Sequence, residues 1–245
     1  MPKQTQKIKL DLLEKWFSSF KSCLVAFSAG VDSSVLALAA FRTLRENAIA
    51  VTSVSPSFAS EELTEAEKMA EEIGIELILV NQNDLEDENY VANKVSRCYF
   101  CRSNLVRALA PIAAERNIEV CVDGTHLDDM LSPRPGVKAL REAGFRAPFV
   151  ELGLSKEDVR SVASYAELSN AFRPSESCLS SRIAFGQKID QNTLRMVEAS
   201  ERFVKEVTGA KIVRVRTIGS EAIVEVDRPS VKKACAMSKE ITLRL

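Results

Sequence analysis

The apolar positions of this chain follow two alternating patterns, helical spacing and short continuous runs. Apolar side chains at 10–20 recur every three or four residues, which predicts an amphipathic first helix. Short apolar runs predict four buried strands, at 23–27, 48–54, 75–80 and 118–122. The stretches between them predict helices, at 33–44, 60–73 and 101–115. Alternating strands and helices are typical of an α/β fold with a doubly wound parallel sheet.

The pattern changes after about residue 186. Before that point, a short fifth strand is predicted at 147–150, and a helix begins at Ser155 with Asp158 as its capping-box partner. After it, a helix at 193–207 precedes two alternating segments around Gly219, which predict a hairpin. The expected domains are an α/β domain at 1–186 and a small α+β appendage at 187–245.

The turn between the first predicted strand and helix carries the strongest motif, FSAGVDSS at 27–34. The backbone N–H groups of such a turn, with a helix N-terminus behind them, form a cradle for phosphate. We expect Gly30 to take a left-handed conformation that lets the backbone approach a phosphate closely. Asp32 is a candidate Mg²⁺ ligand or helix cap. The candidate nucleotide-binding residues are Ser28, Gly30, Val31, Asp32, Ser33 and Ser34.

No lysine follows the glycine, so this turn is not a Walker P-loop. It resembles the SGGxDS loop of the PP-loop ATP pyrophosphatases, which cleave ATP between its α- and β-phosphates and adenylate a substrate. The departure is Ala29, which stands where glycine is usual, and we expect the cradle to survive provided that the φ of Ala29 is negative. An ordinary strand–helix turn with a serine or aspartate cap is the alternative.

Ligands of parallel sheets bind beyond the carboxyl ends of the strands. The turns after residues 27, 54 and 122 are therefore expected to share one pocket. Ser53 and Ser55 are candidates for adenine or ribose contacts, and Gly124 is a candidate for close passage of the nucleotide beside the backbone. Asp128 and Asp129 fit Mg²⁺ binding and helix capping equally well.

Three cysteines stand in a pattern that suits an iron–sulfur cluster. Cys98 and Cys101 form a CxxC motif, and Cys178 lies far downstream. Three thiolates can bind three irons of a [4Fe–4S] cluster, which leaves the fourth iron open for a sulfide or a substrate atom. Neighbouring arginines would favour thiolates over thiols: Arg97, Arg102 and Arg182.

A redox disulfide at the CxxC motif, or a zinc site completed by His126 or Cys121, are the alternatives. Cys23 and Cys121 fall within predicted strands, so buried packing is their expected role. Cys235 is expected on a C-terminal helix without a partner motif. His126 is the only histidine, and this argues against a catalytic Ser–His or Cys–His triad.

Charge and hydropathy favour a small-molecule substrate. The net charge is −1 and the sequence pI is about 6.1, whereas proteins that bind tRNA or DNA usually carry a basic excess. We therefore expect no nucleic-acid partner. No apolar run approaches the roughly 20 residues that cross a bilayer. Residues 1–20 are interrupted by charged residues and lack the apolar core of a signal peptide. The expected location is the cytoplasm, without membrane association.

The chain resembles the LarE family of PP-loop sulfurtransferases over almost its whole length. The matching segments are 28–34, 97–102, 123–129 (DGTHLDD), 134–140 (RPGVKAL), 178–186 (CLSSRIAFG) and 214–225 (RVRTIGSEAIVE). The resemblance implies a PP-loop ATP pyrophosphatase domain at 1–186 and an appendage that serves substrate binding or oligomerisation. It also implies a homo-oligomer, with a hexamer among the forms.

The resemblance further implies the reaction. LarE-like proteins use ATP and Mg²⁺ to adenylate the carboxylates of pyridinium-3,5-biscarboxylic acid mononucleotide, and convert them to thiocarboxylates in nickel-pincer nucleotide synthesis. Some members sacrifice the sulfur of one cysteine, which matches Cys178, and others carry three cysteines and a [4Fe–4S] cluster. Cys98, Cys101 and Cys178 match the second type, so cluster-dependent catalysis is favoured. The competing functions are a tRNA thiolase, an ATP-dependent amidase or ligase that uses ammonia, and a non-enzymatic iron–sulfur or nucleotide-sensing module.

Basic residues near the C-terminus are candidates for binding the phosphate of this mononucleotide. Arg214 and Arg216 lie two apart in a predicted strand, so their side chains share a face. Two guanidinium groups on one face suit a phosphate. The alternative is a ladder of ion pairs with Glu225 and Asp227. The full candidate set is Arg214, Arg216, Ser180 and Arg182.

Overall fold

The computed structural model describes residues 3–174 and 177–245, which fall into two compact units. The first unit comprises 3–55, 60–82 and 98–174, and the second comprises 56–59, 83–97 and 177–245. The second unit therefore contains segments upstream of the predicted appendage. The linear boundary at residue 186 stays a prediction.

A four-stranded parallel sheet forms the centre of the first unit. Its strands are β1 (Cys23–Ala26), β2 (Ala48–Val54), β3 (Glu76–Asn81) and β4 (Val120–Val122), in the order β3-β2-β1-β4. The register of the parallel pairs places Leu24 of β1 beside Ile49 of β2 and Cys121 of β4. The predicted parallel α/β fold is confirmed.

Helices cover both faces of this sheet. The helices found in the described residues of both units are α1 (Lys3–Phe17), α2 (Val31–Leu44), α3 (Ser60–Ile73), α4 (Glu88–Val91), α5 (Arg97–Glu115), α6 (Pro135–Glu142), α7 (Pro148–Glu151), α8 (Lys156–Tyr165), α9 (Gln191–Thr208), α10 (Val231–Ala236) and α11 (Ser238–Arg244). Successive strand residues point to opposite faces. Val25 accordingly belongs to a core cluster with residues of α1, α2, α3 and α8, and Leu24 belongs to a second cluster with residues of α5 and α6.

The predicted fifth strand at 147–150 is wrong. Residues Pro148–Glu151 form the short helix α7. Pro148 has no N–H to contribute to a strand ladder, and its fixed φ suits the first position of a helix. The prediction for the next helix is confirmed, because Ser155 and Asp158 form the capping box of α8.

The second unit contains an antiparallel hairpin that packs on helix α9. Strands β5 (Val213–Ile218) and β6 (Glu221–Val226) pair antiparallel, and Gly219 in the turn has φ +61°. This confirms the predicted hairpin. One cluster of buried apolar residues lies around the hairpin and α9, and it consists of Val204, Ala210, Val213, Val215 and Ile241. Across residues 3–174 and 177–245, no helix is long and apolar enough to cross a membrane.

Candidate active site

The turn between β1 and α2 is closed by the hydroxyl of Ser33. The backbone N–H of Ser28 donates to Ser33 Oγ at 3.2 Å, and Ser33 Oγ donates to the carbonyl of Gly30 at 3.1 Å. Helix α2 begins at Val31, directly after the turn. Its first N–H groups have no acceptor within the helix, which is the arrangement that binds phosphate.

The left-handed residue of this turn is Ala29 and not Gly30. Ala29 has φ +54°, whereas Gly30 is extended, with φ −69° and ψ 158°. The condition of a negative φ at Ala29 is therefore not met, and the expected left-handed conformation of Gly30 is wrong. Glycine adopts a positive φ without the Cβ crowding that an L-residue suffers, which explains why the SGGxDS pattern has glycine at this place.

Replacing Ala29 by glycine is expected to stabilise the protein. The change removes the strain of a Cβ at positive φ, and we expect the free energy of unfolding to rise by about 1 kcal/mol. Denaturant unfolding measures this difference. Ala40→Gly, within the buried part of α2, should shift stability by a similar amount in the opposite direction. Destabilisation by both changes would contradict the assigned strain at Ala29.

Asn170 holds the phosphate loop in this conformation and was missed in the sequence analysis. Its Nδ2 donates to the carbonyl of Ala29 and to Ser34 Oγ, both at 2.8 Å. Asn170 is only 5% exposed, and Ser34 is fully buried. The hydroxyl of Ser34 therefore supports the loop from behind. Asn170 lies in a turn after α8 and belongs to no local motif, so the sequence contained no signal for this contact.

Gly124, just after β4, lies against the start of α2. A Cβ at Gly124 would stand 2.9 Å from the Cβ of Asp32 and 3.3 Å from the backbone nitrogen of Ser33. The protein's own packing thus requires glycine here, which is a different reason from the predicted passage of a nucleotide. Because β2, β1 and β4 are neighbouring parallel strands, the turns that follow them lie at the same end of the sheet, and a pocket shared by the three turns stays a prediction.

A lysine reaches the phosphate loop from a distant segment. Lys156 Nζ lies 2.6 Å and 2.5 Å from the two carboxylate oxygens of Asp32, and both side chains are about one-quarter exposed. The backbone N–H of Lys156 donates to Asp128 at 2.6 Å. The start of α8 was predictable from its capping box, but a contact across 124 positions leaves no local pattern.

Asp128 and Asp129 act as capping groups. Asp129 accepts the backbone N–H of His126 at 3.1 Å at the start of the 3-10 helix Leu127–Leu131, and pairs with Arg134 at 2.7 Å. Asp128 accepts the first backbone N–H of α8. These contacts favour capping over Mg²⁺ binding for both carboxylates.

A chain of hydrogen bonds joins the end of β2 to the CxxC motif. Ser53 Oγ donates to Gln82 Oε1 at 2.5 Å, and Gln82 Nε2 donates to the carbonyl of Cys101 at 3.3 Å. The hydroxyl of Ser53 is thereby engaged within the protein. Nucleotide contact by Ser55, which follows β2, stays a prediction.

Cys98 and Cys101 lie in the first turns of α5. Cys98 is exposed and Cys101 is half-buried. The start of a helix favours negative charge, which suits thiolate ligands. Gly136 of α6 packs against this turn, since its Cβ would lie 3.0 Å from Cγ of Arg102 and 3.2 Å from the carbonyl of Cys98. The RPGVKAL segment therefore supports the backbone of the cysteine helix.

Cys178, in the second unit, is exposed and precedes the 3-10 helix Leu179–Arg182. Arg182 fixes this segment, because its Nη1 donates to the carbonyl of Ser177 at 2.7 Å and its Nε donates to Glu201 at 2.7 Å. Arg182 is 6% exposed. Its contacts indicate a positioning role, in place of the predicted contacts with a substrate phosphate or a thiolate.

Ser180 and Arg97 form a buried network beneath the same segment. Ser180 is fully buried and its hydroxyl bonds that of Tyr90. Arg97 Nη1 donates to the carbonyl of Ser180 at 2.9 Å and to Oδ1 of Asn93 at 2.6 Å. These contacts indicate positioning roles for both residues, in place of the phosphate contact predicted for Ser180 and the thiolate contact predicted for Arg97.

Asn93 is the centre of this network and was also missed. It is fully buried with φ +49°, and its Nδ2 donates to three carbonyls, those of Ile183 at 3.3 Å, Ala184 at 2.9 Å and Gln187 at 2.9 Å. Asparagine tolerates the left-handed region better than most residues. One side chain thus organises the CLSSRIAFG segment that carries Cys178.

Asn93→Ala is expected to lower the free energy of unfolding by about 3 kcal/mol, because it removes the buried amide that bonds three carbonyls and one of the two hydrogen bonds of Arg97 Nη1. Asn93→Gly keeps the backbone freedom and removes only the side-chain contacts. Chemical denaturation of both variants separates these contributions. The control is Asn192→Ala, at an exposed position of α9, which should stay within about 0.5 kcal/mol of the parent. A native-like Asn93→Gly would exclude the role of the side chain.

The two arginines of β5 differ in their contacts. Arg216 Nε donates to Glu225 at 2.8 Å, and this hydrogen bond holds the pKa of Glu225 below its usual range. The ion-pair alternative therefore describes Arg216, while Arg214, opposite Glu225 in the register, stays a candidate phosphate ligand. Asp227 does not form the predicted ladder, because its carboxylate accepts the backbone N–H of Ile212 at 3.0 Å.

The remaining cysteines are poor candidates for sulfur chemistry. Burial raises the pKa of Cys23 well above its ordinary value and the pKa of Cys121 to about 11, so both stay neutral thiols. Within each unit, the described side chains include no group of three His, Cys, Asp or Glu placed to bind one metal ion. This removes support for zinc at the CxxC with His126 or Cys121. A cluster would need thiolates from both units and stays a prediction.

Comparison with known proteins agrees with the geometry of the phosphate loop. A sequence model of the asparagine synthase family matches residues 14–122, the part that contains this loop and all four sheet strands. An uncharacterized protein from Synechocystis sp. is 37% identical over 92% of this chain and 84% of its own length. An uncharacterized protein from Methanocaldococcus jannaschii is 28% identical over the same shares, 92% and 84%.

A third relative has a function in its name. Pyridinium-3,5-bisthiocarboxylic acid mononucleotide synthase from Lactiplantibacillus plantarum is 32% identical over 82% of this chain and 73% of its own length. That similarity covers most of the chain, and the fold is the parallel α/β fold that PP-loop enzymes share. The chain therefore belongs to the LarE family of PP-loop, ATP-dependent sulfurtransferases.

Proposed function

We propose that this enzyme adenylates a carboxylate of pyridinium-3,5-biscarboxylic acid mononucleotide with ATP and replaces a carboxylate oxygen with sulfur. The name of the Lactiplantibacillus plantarum relative supports this substrate. The observation that carries the proposal is the hydrogen-bond chain from Ser53 through Gln82 to Cys101. It ties the CxxC helix to the end of the sheet at which the phosphate loop stands, which supports nucleotide binding and thiol chemistry at the same end of the sheet.

The loop residues fit ATP. Gly30 is extended, and a Cβ there would be in ordinary contact with Ser28 Oγ at 3.5 Å. Neither the backbone nor the packing of the protein demands glycine, so the close approach of a phosphate is the remaining physical reason for it. Asp32 is the oxygen donor of the loop that would hold Mg²⁺, which when bound neutralises charge on pyrophosphate.

Adenylation makes the carboxylate reactive. A carboxylate is a poor electrophile because its charge is delocalised, whereas the acyl-adenylate carries AMP as a leaving group. The backbone N–H groups at the start of α2 stabilise the pyrophosphate that leaves in the first step. A sulfur nucleophile then forms a bond to the acyl carbon and AMP departs. That nucleophile is a thiolate or a metal-bound sulfide, since neutral thiols attack poorly.

Cys98, Cys101 and Cys178 are the residues that would hold a [4Fe–4S] cluster. Two of them are exposed and Cys101 is half-buried, and thiolates are the usual ligands of such clusters. A bound cluster supplies an open iron that holds the sulfide to be transferred. Sacrifice of the Cys178 sulfur, which leaves dehydroalanine, is the competing form of the same function.

The second unit would bind the rest of the substrate. Arg214 is the arginine of β5 that we propose for the substrate phosphate, with Arg216 beside it held by Glu225. We further propose a small-molecule substrate without nucleic acid, a cytoplasmic location and a homo-oligomeric state.

An anaerobic assay with the mononucleotide, ATP, Mg²⁺ and sulfide tests this function. The expected products are AMP, pyrophosphate and a thiocarboxylate detected by mass spectrometry, and omission of ATP should remove all three. Addition of tRNA should yield no thiolated nucleoside. Sulfur incorporation into tRNA without any thiocarboxylate would contradict the proposal.

A further inference from the structure

We propose that Tyr90 is a positioning residue for sulfur transfer, because its buried hydroxyl holds the turn that carries Cys178 against the segment 56–59. This inference rests on the proposed function, since it concerns the placement of the same cysteine. Tyr90 lies on the short helix α4, outside the CxxC motif and outside the CLSSRIAFG segment.

The hydroxyl of Tyr90 joins two serines inside the second unit. It is hydrogen-bonded to Ser180 Oγ and to the side chain of Ser57. Tyr90, Ser180 and Ser57 are 1%, 0% and 4% exposed, so water does not reach this contact. Burial raises the pKa of Tyr90 well above its ordinary value, so the phenol keeps its single proton. Loss of this hydroxyl would therefore leave buried polar groups short of a hydrogen bond.

The neighbouring backbone shows what the hydroxyl holds. Cys178 is followed directly by Leu179, whose backbone N–H donates to the carbonyl of Ser57 at 3.0 Å. The next residue, Ser180, is the one that Tyr90 bonds. The turn that carries Cys178 is thus attached to Ser57 twice, once by backbone and once through the side chain of Tyr90.

The place of Ser57 in the chain explains why this attachment matters for the reaction. Ser57 follows shortly after Val54, the last residue of β2. Ligands of parallel sheets bind beyond the carboxyl ends of the strands. Attachment to the segment that continues from β2 limits the positions that the sulfur of Cys178 can take during attack on the acyl-adenylate. Misplacement of a reacting group by about 1 Å costs about 100-fold in rate.

Anaerobic steady-state turnover tests the proposal. Tyr90→Phe keeps the ring and removes only the hydroxyl. It should lower kcat for thiocarboxylate formation about 10-fold or more, and should leave KM for the mononucleotide within about twofold of the parent. Calorimetry should still find one ATP bound per chain, whereas unfolding of part of the sample would lower that stoichiometry and kcat in parallel. The matched control is Tyr165→Phe at the end of α8, which should keep the parent kcat.

Ser180→Ala tests the same hydrogen bond from its other side. It should lower kcat about threefold or more, a smaller loss than that of Tyr90→Phe, because Tyr90 keeps its bond to Ser57 in this variant. The double variant should be no slower than Tyr90→Phe, because both changes remove one shared bond. Losses that multiply in the double variant, or a parent-like kcat in Tyr90→Phe, would overturn the inference.

Hydrogen exchange locates the part of the chain that the change loosens. In Tyr90→Phe the amide of Leu179 should exchange about 10-fold faster, and the amides of α2 should exchange as in the parent. Unchanged exchange at Leu179 would overturn a positioning role, whatever the effect on kcat. If the unaltered enzyme forms no thiocarboxylate at all, the proposed function is contradicted instead, and the exchange result still tests the attachment.

Discussion

Replacing Cys98 by alanine is expected to abolish repeated sulfur transfer, with thiocarboxylate formation falling more than about 100-fold. The reason is that two thiolates cannot hold the cluster that three would hold. ATP affinity should stay within about twofold of the parent, because Cys98 lies on α5 and outside the phosphate loop. Anaerobic turnover with the mononucleotide, together with a separate ATP-binding measurement, checks both expectations.

The matched control for Cys98 is Cys235→Ala. Cys235 is an exposed cysteine on α10 in the second unit, and its loss should leave turnover unchanged. Cys178→Ala should abolish product in either form of the mechanism. Full activity of Cys98→Ala would exclude a cluster role for the CxxC motif and would leave Cys178 as a lone sulfur donor.

Gly124→Ala is expected to have the second largest effect. Its new Cβ would come within 2.9 Å of the Cβ of Asp32, at the rigid start of α2 where neither group can turn aside. We expect an ATP affinity at least about 10-fold lower and a free energy of unfolding about 2 kcal/mol lower. Calorimetric titration and denaturant unfolding measure the two effects.

Gly30→Ala is the informative counterpart, because Gly30 is extended and a Cβ there meets Ser28 Oγ at an ordinary 3.5 Å. The free energy of unfolding of this variant should stay within about 0.5 kcal/mol of the parent. ATP binding should be lost, because the new methyl group occupies the phosphate cradle. These two results together would assign Gly124 to the fold of the loop and Gly30 to the binding of its ligand. A destabilised Gly30→Ala with normal ATP binding would reverse that assignment.

Local patterns explain the parts of the fold that were predictable. The strand at 48–54 and the helix at 60–73 have the bounds that the sequence indicated, because their apolar periods end at clear turn residues such as Gly74. The hairpin around Gly219 was predictable for the same reason. The short apolar stretch at 147–150 was misassigned as a strand. The constraint of Pro148 on backbone hydrogen bonding outweighed the apolar pattern of the stretch.

The supports of the site were not predictable, because they come from far along the chain. Lys156 reaches Asp32 and Asn170 reaches Ala29 through contacts across 124 and 141 positions. Neither residue belongs to a local motif. Arg97 was recognised from its place beside the CxxC motif, but its guanidinium turned out to bind the backbone of Ser180.

The sequence motifs also did not distinguish residues that contact the substrate from residues that fix the backbone around it. Ser180 and Arg182 belong to the CLSSRIAFG segment, and both are buried and bonded to the protein. A motif marks every residue that a site needs, whether it contacts the substrate or fixes the backbone beneath. Burial and hydrogen-bond partners separate these two groups, and they require coordinates.

The most direct test of the central claim, ATP-dependent transfer of sulfur through these cysteines, is the mass of the Cys178 peptide after anaerobic turnover, measured beside the amount of thiocarboxylate formed. Cluster-dependent catalysis predicts several thiocarboxylates per chain with Cys178 intact, and none without ATP. Loss of one sulfur from Cys178 with a single product per chain would contradict cluster-dependent catalysis. Thiocarboxylate formation without ATP would contradict the role of the phosphate loop itself.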